Sequence, residues 1–550
     1  MILIKGMKKI YLLFLVLAMT ASCTKKKKAD LLVVNANIYT VDSVFSKAAA
    51  MAVKDGKIQA VGKSEELIEK YEGKRVLDAK GKTILPGLVD AHCHFFGLGL
   101  NQQKVDLLDT KSYDEVLQRV VAFQNDKKKS FVFGRGWDQN DWEVKEFPVK
   151  DKLDELFPDI PVVLQRIDGH AYLVNQKALD LAGITKDTKA SRGEIVMENG
   201  ELTGLLIDNP MAMIDAVVPD LSREEQANAL LEAQEICFGF GLTTVSDAGL
   251  DREVIELIDS LQQSGDLKMR VYAMVSNSEE NLDYYLAKGI VKTDRLNVRS
   301  FKVYGDGALG SRGAALKEEY SDKHHHFGAL VTSVEDVYDI ADRIAASEYQ
   351  MNTHAIGDSA NAIVLKAYNS ALEGKPDRRW RIEHAQVIDG KDLDYFSQGI
   401  IPSVQPTHAT SDMYWAEDRL GADRIEGAYA YKTLLDKSGI IALGTDFPVE
   451  KVSPFLTFYA AVARKDLDGY PKNGFQTKDA LTREEVLKGM TIWAAFANFE
   501  EKEKGSLEPG KWADFIVLDK DVMKVPINEV PDINVEHTYS AGELMSEKNN

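Results

Sequence analysis

Leu88-Val89-Asp90-Ala91-His92-Cys93-His94 is the stretch on which the reading of this chain turns. A strand sends alternate side chains to opposite faces, so Asp90, His92 and His94 share one face and Cys93 points the other way. Two imidazoles on one face of a strand end can grip a single divalent ion. A His-x-His pair alone is weak evidence, and its companions decide its meaning. A doubly wound nucleotide-binding fold often places a glycine-rich phosphate turn after its first strand. Here that place holds the two histidines instead.

Working outward, short apolar strand candidates recur at about 84–94, 241–247, 269–275, 299–304, 350–354, 379–384, 399–405 and 439–446. Several stretches between them have the apolar spacing of helices, for example Val334 to Ala346 and Glu484 to Ala497. Eight strands mostly alternating with helices predict an α/β fold, a TIM (β/α)8 barrel, over residues 84–499. One connection, residues 96–225, is far longer than a single helix needs. We expect a large insertion after the first strand, lying over the C-terminal face as a lid and substrate-selecting subdomain. Both chain ends read as β structure: Leu31 to Val41, Ala49 to Val53 and Lys57 to Val61 at one, Ala513 to Leu518 at the other. Together residues 31–83 and 500–545 are expected to form one small β-sandwich-like domain.

The companions of His92 and His94 stand at the ends of other predicted strands. His354 ends Met351-Asn352-Thr353-His354, His384 ends Arg381-Ile382-Glu383-His384, and Asp446 ends Ile440 to Asp446. Barrel geometry makes strand ends converge at the C-terminal face, so these groups are expected to form a metal site. In Ser300-Phe301-Lys302-Val303-Tyr304, alternation turns Lys302 toward the barrel interior. An ammonium there would be both desolvated and repelled by metal cations. A carboxylated Lys302 would instead be an anion able to bridge two ions; the alternative is a lysine reaching up to the barrel mouth. Asp90 is expected to orient one imidazole. Gln405 ends the seventh strand and faces the same cavity, while His408 just beyond it is left outside the predicted set. His324-His325-His326 lies in a polar context and reads as a solvated loop, because adjacent side chains diverge.

The order His-x-His, Lys, His, His, Asp over strands one, four, five, six and eight resembles the amidohydrolase superfamily. More narrowly it is similar to the YtcJ-like branch, which includes N-substituted formamide deformylases. Further matching runs are Gly134-Arg135-Gly136-Trp137-Asp138, Asp168-Gly169-His170, Asp306 to Arg312, Gly444 to Val449 and Gly505 to Asp514. The resemblance spans about residues 30 to 525. It implies a divalent metal cofactor, zinc by preference, as one or two ions held by His92, His94, Lys302, His354, His384 and Asp446. It also implies hydrolysis of a carbon–nitrogen bond outside ordinary peptides, with Asp446 as the catalytic acid–base group. The motifs of Trp137, His170 and Arg312 are placed near the site, as candidates for holding substrate. Two rival readings stay open: a mononuclear deaminase of a heterocycle on the same barrel, and a non-catalytic binding protein.

The N-terminus adds an address. Lys8 and Lys9, the apolar run Ile10 to Met19, and Thr20-Ala21-Ser22-Cys23 follow the basic, apolar, small-residue order of a secretory signal over residues 1–22. Cys23 after small residues resembles a bacterial lipobox, so we expect lipidation at Cys23 and a tether over 23–30. That predicts an exported protein anchored to a bacterial membrane on its periplasmic or cell-surface side. The net charge of -19 argues against a nucleic-acid surface, which needs a concentrated basic stripe. The expected partners are a small amide-like molecule and, through the lipid, a membrane; a homo-oligomer is left open. Cys93 and Cys237, the two cysteines after Cys23, are expected to be free and buried.

Overall fold

The computed structural model of the chain describes residues 25–189, 193–375 and 377–548. The expected signal segment 1–22 and the lipidation site Cys23 lie outside the described residues. Strand pairing begins at Lys27, in Lys27–Val34, so the last residues of the expected tether already belong to a sheet.

The centre is an eight-stranded parallel barrel. Its strands, here β1 to β8, are Leu88–Cys93, Leu242–Leu250, Arg270–Ser276, Leu296–Tyr304, Gln350–Ala355, Arg381–His384, Ile401–Val404 and Ala442–Leu443. They pair in sequence order, each parallel to the next. The residues just beyond β8 close the ring against β1: Asp446 N donates to His92 O (2.8 Å) and His94 N donates to Phe447 O (2.7 Å). Gly444 permits that approach, since a Cβ there would lie 2.5 Å from His92 N. Asp90 locks the same junction by accepting from the Thr445 hydroxyl at 2.7 Å. Each of the eight strands overlaps its predicted window, and four of them extend past its bounds. The first window proves to be two strands, Thr83–Pro86 and β1, joined at Gly87. Gly87 passes so close to β2 that a Cβ would meet Thr243 Oγ1 at 2.2 Å.

Alternation works as the strands dictate. In β4, Phe301 and Val303 are buried in the apolar shell between strands and helices, while Ser300 and Lys302 are buried polar groups of the interior. Cys93 is buried in the same apolar shell, and both Cys93 and Cys237 are free.

The two chain ends meet as expected. One sheet holds Lys27–Val34, Ala50–Lys54, Lys57–Gly62 and Tyr71–Asp78; a second mixes Asn37–Tyr39, Lys47–Ala48 and Thr83–Pro86 with Phe515–Leu518, Val535–Ser540 and Glu543–Glu547. Leu31, Val33, Met51 and Ile84 from the first end share a buried cluster with Phe515, Val517 and Tyr539 from the second. The long connection after β1 folds around a six-stranded sheet of its own, running from Glu194–Glu198 at one edge to Val105–Asp106 at the other. Separate apolar clusters cover its two faces. The chain returns to β2 through helix Arg223–Gly239, whose N-terminus is secured by a reciprocal capping box between Ser222 and Glu225.

Candidate metal centre

The C-terminal mouth of the barrel collects the residues that the strand ends predicted. His92 and His384 reach within a ring-centroid distance of 4.9 Å, His354 and His384 within 4.5 Å, and His92 and His94 within 5.8 Å. Asp446 Oδ1 lies 3.2 Å from His94 Nε2 and 3.7 Å from His92 Nε2. Lys302 Nζ is 3.1 Å from His92 Nε2 at the buried floor. Among the described residues, His92, His384 and Asp446 form the one group of three potential metal ligands whose donor atoms all lie within 4.8 Å of one another.

The local backbone explains how these side chains arrive. His384 and Asp446 both adopt left-handed conformations, with φ of 72° and 62°. Such values are uncommon for residues other than glycine and cluster where function imposes them. At the end of β6 the turn has a specific consequence. Arg381 and Glu383 face the interior by alternation, and His384 would face outward in a regular strand. The left-handed residue swings its imidazole back into the mouth, so Glu383 and His384 both serve the site.

Glu383 is the partner that sequence reading missed. Its Oε2 sits 2.5 Å from His92 Nδ1, with both side chains fully buried, and Arg381 Nε lies 3.0 Å from its other oxygen. Burial opposes its charge, but the Arg381 and His92 charges hold the carboxyl down at about 2. A carboxylate on Nδ1 fixes the ring and directs Nε2 into the mouth. The expectation that Asp90 orients an imidazole is therefore corrected. Asp90 accepts from the backbone N of His92 (3.1 Å) and from Thr445, and it ties β1 to β8. The other ring partner is Gln405, whose Oε1 lies 2.7 Å from His384 Nδ1. His408, left out of the predicted set, sits in helix Pro406–Asp412 with Nε2 3.3 Å from Asp446 Oδ2 and Nδ1 3.0 Å from Glu450 Oε1.

The electrostatics suit a cation. Burial, followed by the charge of Lys302, pushes the His92 imidazole down to about 4 and that of His354 to about 3. Burial likewise holds His384 well below its ordinary value. Neutral imidazole is the metal-binding form. Asp446 stays well below the usual carboxylate range although burial opposes it, because His408 hydrogen-bonds to it. Two buried atoms decide the fit: His354 Nε2 and Asp446 Oδ1 have no hydrogen-bond partner. Buried polar atoms are normally satisfied, and unsatisfied ones converging with imidazoles are what a bound cation would complete. The residues fit a divalent metal.

The three expected substrate contacts have partners of their own. Trp137 is buried in the core of the insertion, its Nε1 donating to Leu164 O at 2.8 Å. His170 is exposed and pairs with Asp208 (2.9 Å). Arg312 makes a two-pronged ion pair with Asp322 at 3.0 and 2.7 Å. In the histidine tract, His324 and His325 are exposed beside Glu319, as expected of a solvated loop, whereas His326 is half-buried with its Nε2 2.9 Å from Arg312 O.

Comparison with known proteins agrees with this geometry. The model of the amidohydrolase family matches residues 75–545. Protein LONG AFTER FAR-RED 3 of Arabidopsis thaliana is 34% identical over 89% of this chain and 87% of its own length. Putative amidohydrolase YtcJ of Bacillus subtilis is 32% identical over 93% and 98%, and the N-substituted formamide deformylase of Arthrobacter pascens is 27% identical over 94% and 98%. Among solved structures, an uncharacterized metal-dependent hydrolase from Pyrococcus furiosus superposes with a TM-score of 0.75 at 28% identity, covering 90% of this chain and all of that one. The chain belongs to the amidohydrolase family and has the fold of a metal-dependent hydrolase.

Proposed function

We propose that this member of the amidohydrolase family hydrolyses a carbon–nitrogen bond outside ordinary peptides, in a linear or cyclic amide or an N-acyl or N-formyl amine. The observation that carries the reading is the convergence of His92, His94, His354, His384 and Asp446 on one buried mouth where two polar atoms lack partners. The similarity to a formamide deformylase supports the bond type. His92, His94, His354, His384 and Asp446 would hold zinc, which supplies Lewis acidity when bound, making water a nucleophile near neutral pH and polarising a carbonyl. Asp446 accepts the proton of the attacking water and returns it to the departing amine nitrogen as the carbon–nitrogen bond breaks. His408 and Glu450 position the Asp446 carboxylate through the hydrogen bonds described. Glu383 keeps His92 in one tautomer, with the proton on Nδ1.

Lys302 is proposed to be carboxylated. The ammonium first gives up a proton, the neutral amine attacks carbon dioxide to form a nitrogen–carbon bond as one carbon–oxygen π pair moves onto oxygen, and a second proton leaves the nitrogen to solvent. The resulting anion replaces an ammonium that is fully buried 3.1 Å from a ligand nitrogen. A carbamate carbon signal after exposure to isotopically labelled bicarbonate, absent in Lys302→Met, tests this directly. For the N-terminus we propose lipidation at Cys23 and export to a membrane surface; Cys23→Ala should move the protein from the membrane fraction to the soluble one.

The activity is tested by offering formamides, N-acyl amines, cyclic amides and N-acyl amino acids to metal-loaded protein. Hydrolysis that stops on chelation and returns with divalent zinc supports the reading. Metal-loaded protein that cleaves none of them contradicts it.

A further inference from the structure

We infer that the cavity between the insertion and the barrel mouth receives a carboxylate-bearing arm of the substrate, recognised by Arg135 and Lys104. This rests on the amide-hydrolysis reading above and adds a substrate class to it.

The cavity has a volume of about 380 Å³ and is walled by Leu98, Val105, Leu108, Ile167 and Pro448. Two of its walls are continuous in the chain with residues of the metal centre. Pro448 follows Asp446 by two residues, and helix Phe95–Gln102 starts directly after His94. Gly97 packs these walls together: a Cβ there would lie 3.2 Å from His94 Cβ and 3.8 Å from Pro448 Cδ. Leu108 and Ile167 are 47% and 41% exposed, an apolar surface suited to a short alkyl chain.

A single backbone irregularity presents the first cation. In strand Val132–Trp137, Arg135 and Trp137 would share a face if the strand were regular. The register with Val162–Arg166 shifts between them, at Gly136. Gly136 has φ +112°, and a Cβ there would come within 2.8 Å of Leu108 N, so the shift requires glycine. Trp137 therefore turns into the insertion core with Val132, while Arg135 stays exposed on the opposite face and lines the cavity. The motif that suggested Trp137 as a substrate contact delivers its neighbour instead.

Lys104 supplies the second cation. Its Nζ lies 5.4 Å from the Phe133 ring centroid. Desolvation, then the like charge of Arg135, lowers its pKa. Among the described residues neither cation has an ion-pair partner. Asp106, the one acid in the wall, spends Oδ1 on the Leu108 backbone N–H at 3.0 Å. Two neighbouring cations above an apolar cavity favour an anion, and charge-assisted hydrogen bonds to a carboxylate would satisfy both.

The experiment compares N-formylaminocaproate with N-formylhexylamine, twins that differ by the terminal carboxylate. Binding is measured by calorimetry on metal-free protein, which cannot cleave either. Wild type is expected to bind the carboxylate twin about tenfold or more tighter. The advantage should disappear in Arg135→Ala and shrink in Lys104→Met, with binding of the neutral twin unchanged. Equal affinity for the twins, including none for either, overturns the assignment, as does an advantage that survives in both variants. If metal-loaded protein cleaves neither twin while the binding advantage stands, the amide reading fails and the cavity assignment survives.

Discussion

Two buried carboxylates, Asp514 at the N-terminal seam of the barrel and Asp446 at its C-terminal mouth, are held differently. At the N-terminal seam, Arg270 at the start of β3 donates from Nε and its terminal nitrogen to both oxygens of Asp514, at 2.8 and 3.1 Å. Asp514 also accepts from Ala541 N at 2.7 Å, and the Arg270 guanidinium lies 4.7 Å from the Trp512 ring centroid. Each carboxylate oxygen there has a partner. At the C-terminal mouth, Asp446 Oδ1 and His354 Nε2 have none. A satisfied buried pair is a joint that fixes the β domain to the barrel. An unsatisfied one at the opposite end is a site prepared for something to bind.

This contrast can be broken most forcefully at Asp446. Asp446→Asn should lower turnover by about 10²–10⁴-fold, the usual scale for an acid–base group, while the melting temperature holds or rises. A matching fall in both would make the mouth structural. The seam should give the opposite result. Asp514→Ala leaves Arg270 buried and alone, which typically costs about 3–5 kcal/mol in stability. Denaturant unfolding should record that loss, while turnover per folded molecule stays near wild type.

Glu383→Gln tests whether the mouth is built outward from its ligands. Losing the carboxylate on His92 Nδ1 should weaken metal affinity by about 10–100-fold, measured by competition with a chromophoric chelator. An unchanged affinity would reduce Glu383 to a counter-charge for Arg381. The smallest expected effect is a pH dependence at the seam. Burial raises the Asp514 carboxyl, but the Arg270 charge and its hydrogen bonds outweigh this and hold it below the ordinary aspartate value of 3.8. A depressed folded pKa contributes stability that is fully present above the unfolded value and is lost as pH falls through the folded one. The stability gap between wild type and Asp514→Asn should therefore be constant above pH 3.8 and close below it.

Much of this was legible from strand periodicity. Asp90, His92 and Lys302 face inward because alternate side chains do, and the eight windows of apolar residues mark the eight barrel strands. Composition at the two ends likewise announced the shared β domain. What escaped lay where the backbone departs from the regular period. Glu383 was hidden because alternation admits only one of Glu383 and His384 to the interior, and the left-handed turn at His384 admits both. Trp137 was misjudged because the shift at Gly136 moves it to the other face of its strand. His408 follows the seventh strand on a helix, so no strand rule reaches it. Asp90 was placed on the correct face but given the wrong task, since its neighbour across the barrel closure is Thr445 rather than an imidazole.

The most direct measurement is a calorimetric titration of chelator-stripped protein with divalent zinc, run beside the double variant His92→Ala, His384→Ala. The account predicts saturable binding by the wild-type chain and its loss in the variant, with the seam intact and the unfolding transition preserved. Undiminished binding by the double variant would contradict it, and would place any metal somewhere other than the barrel mouth.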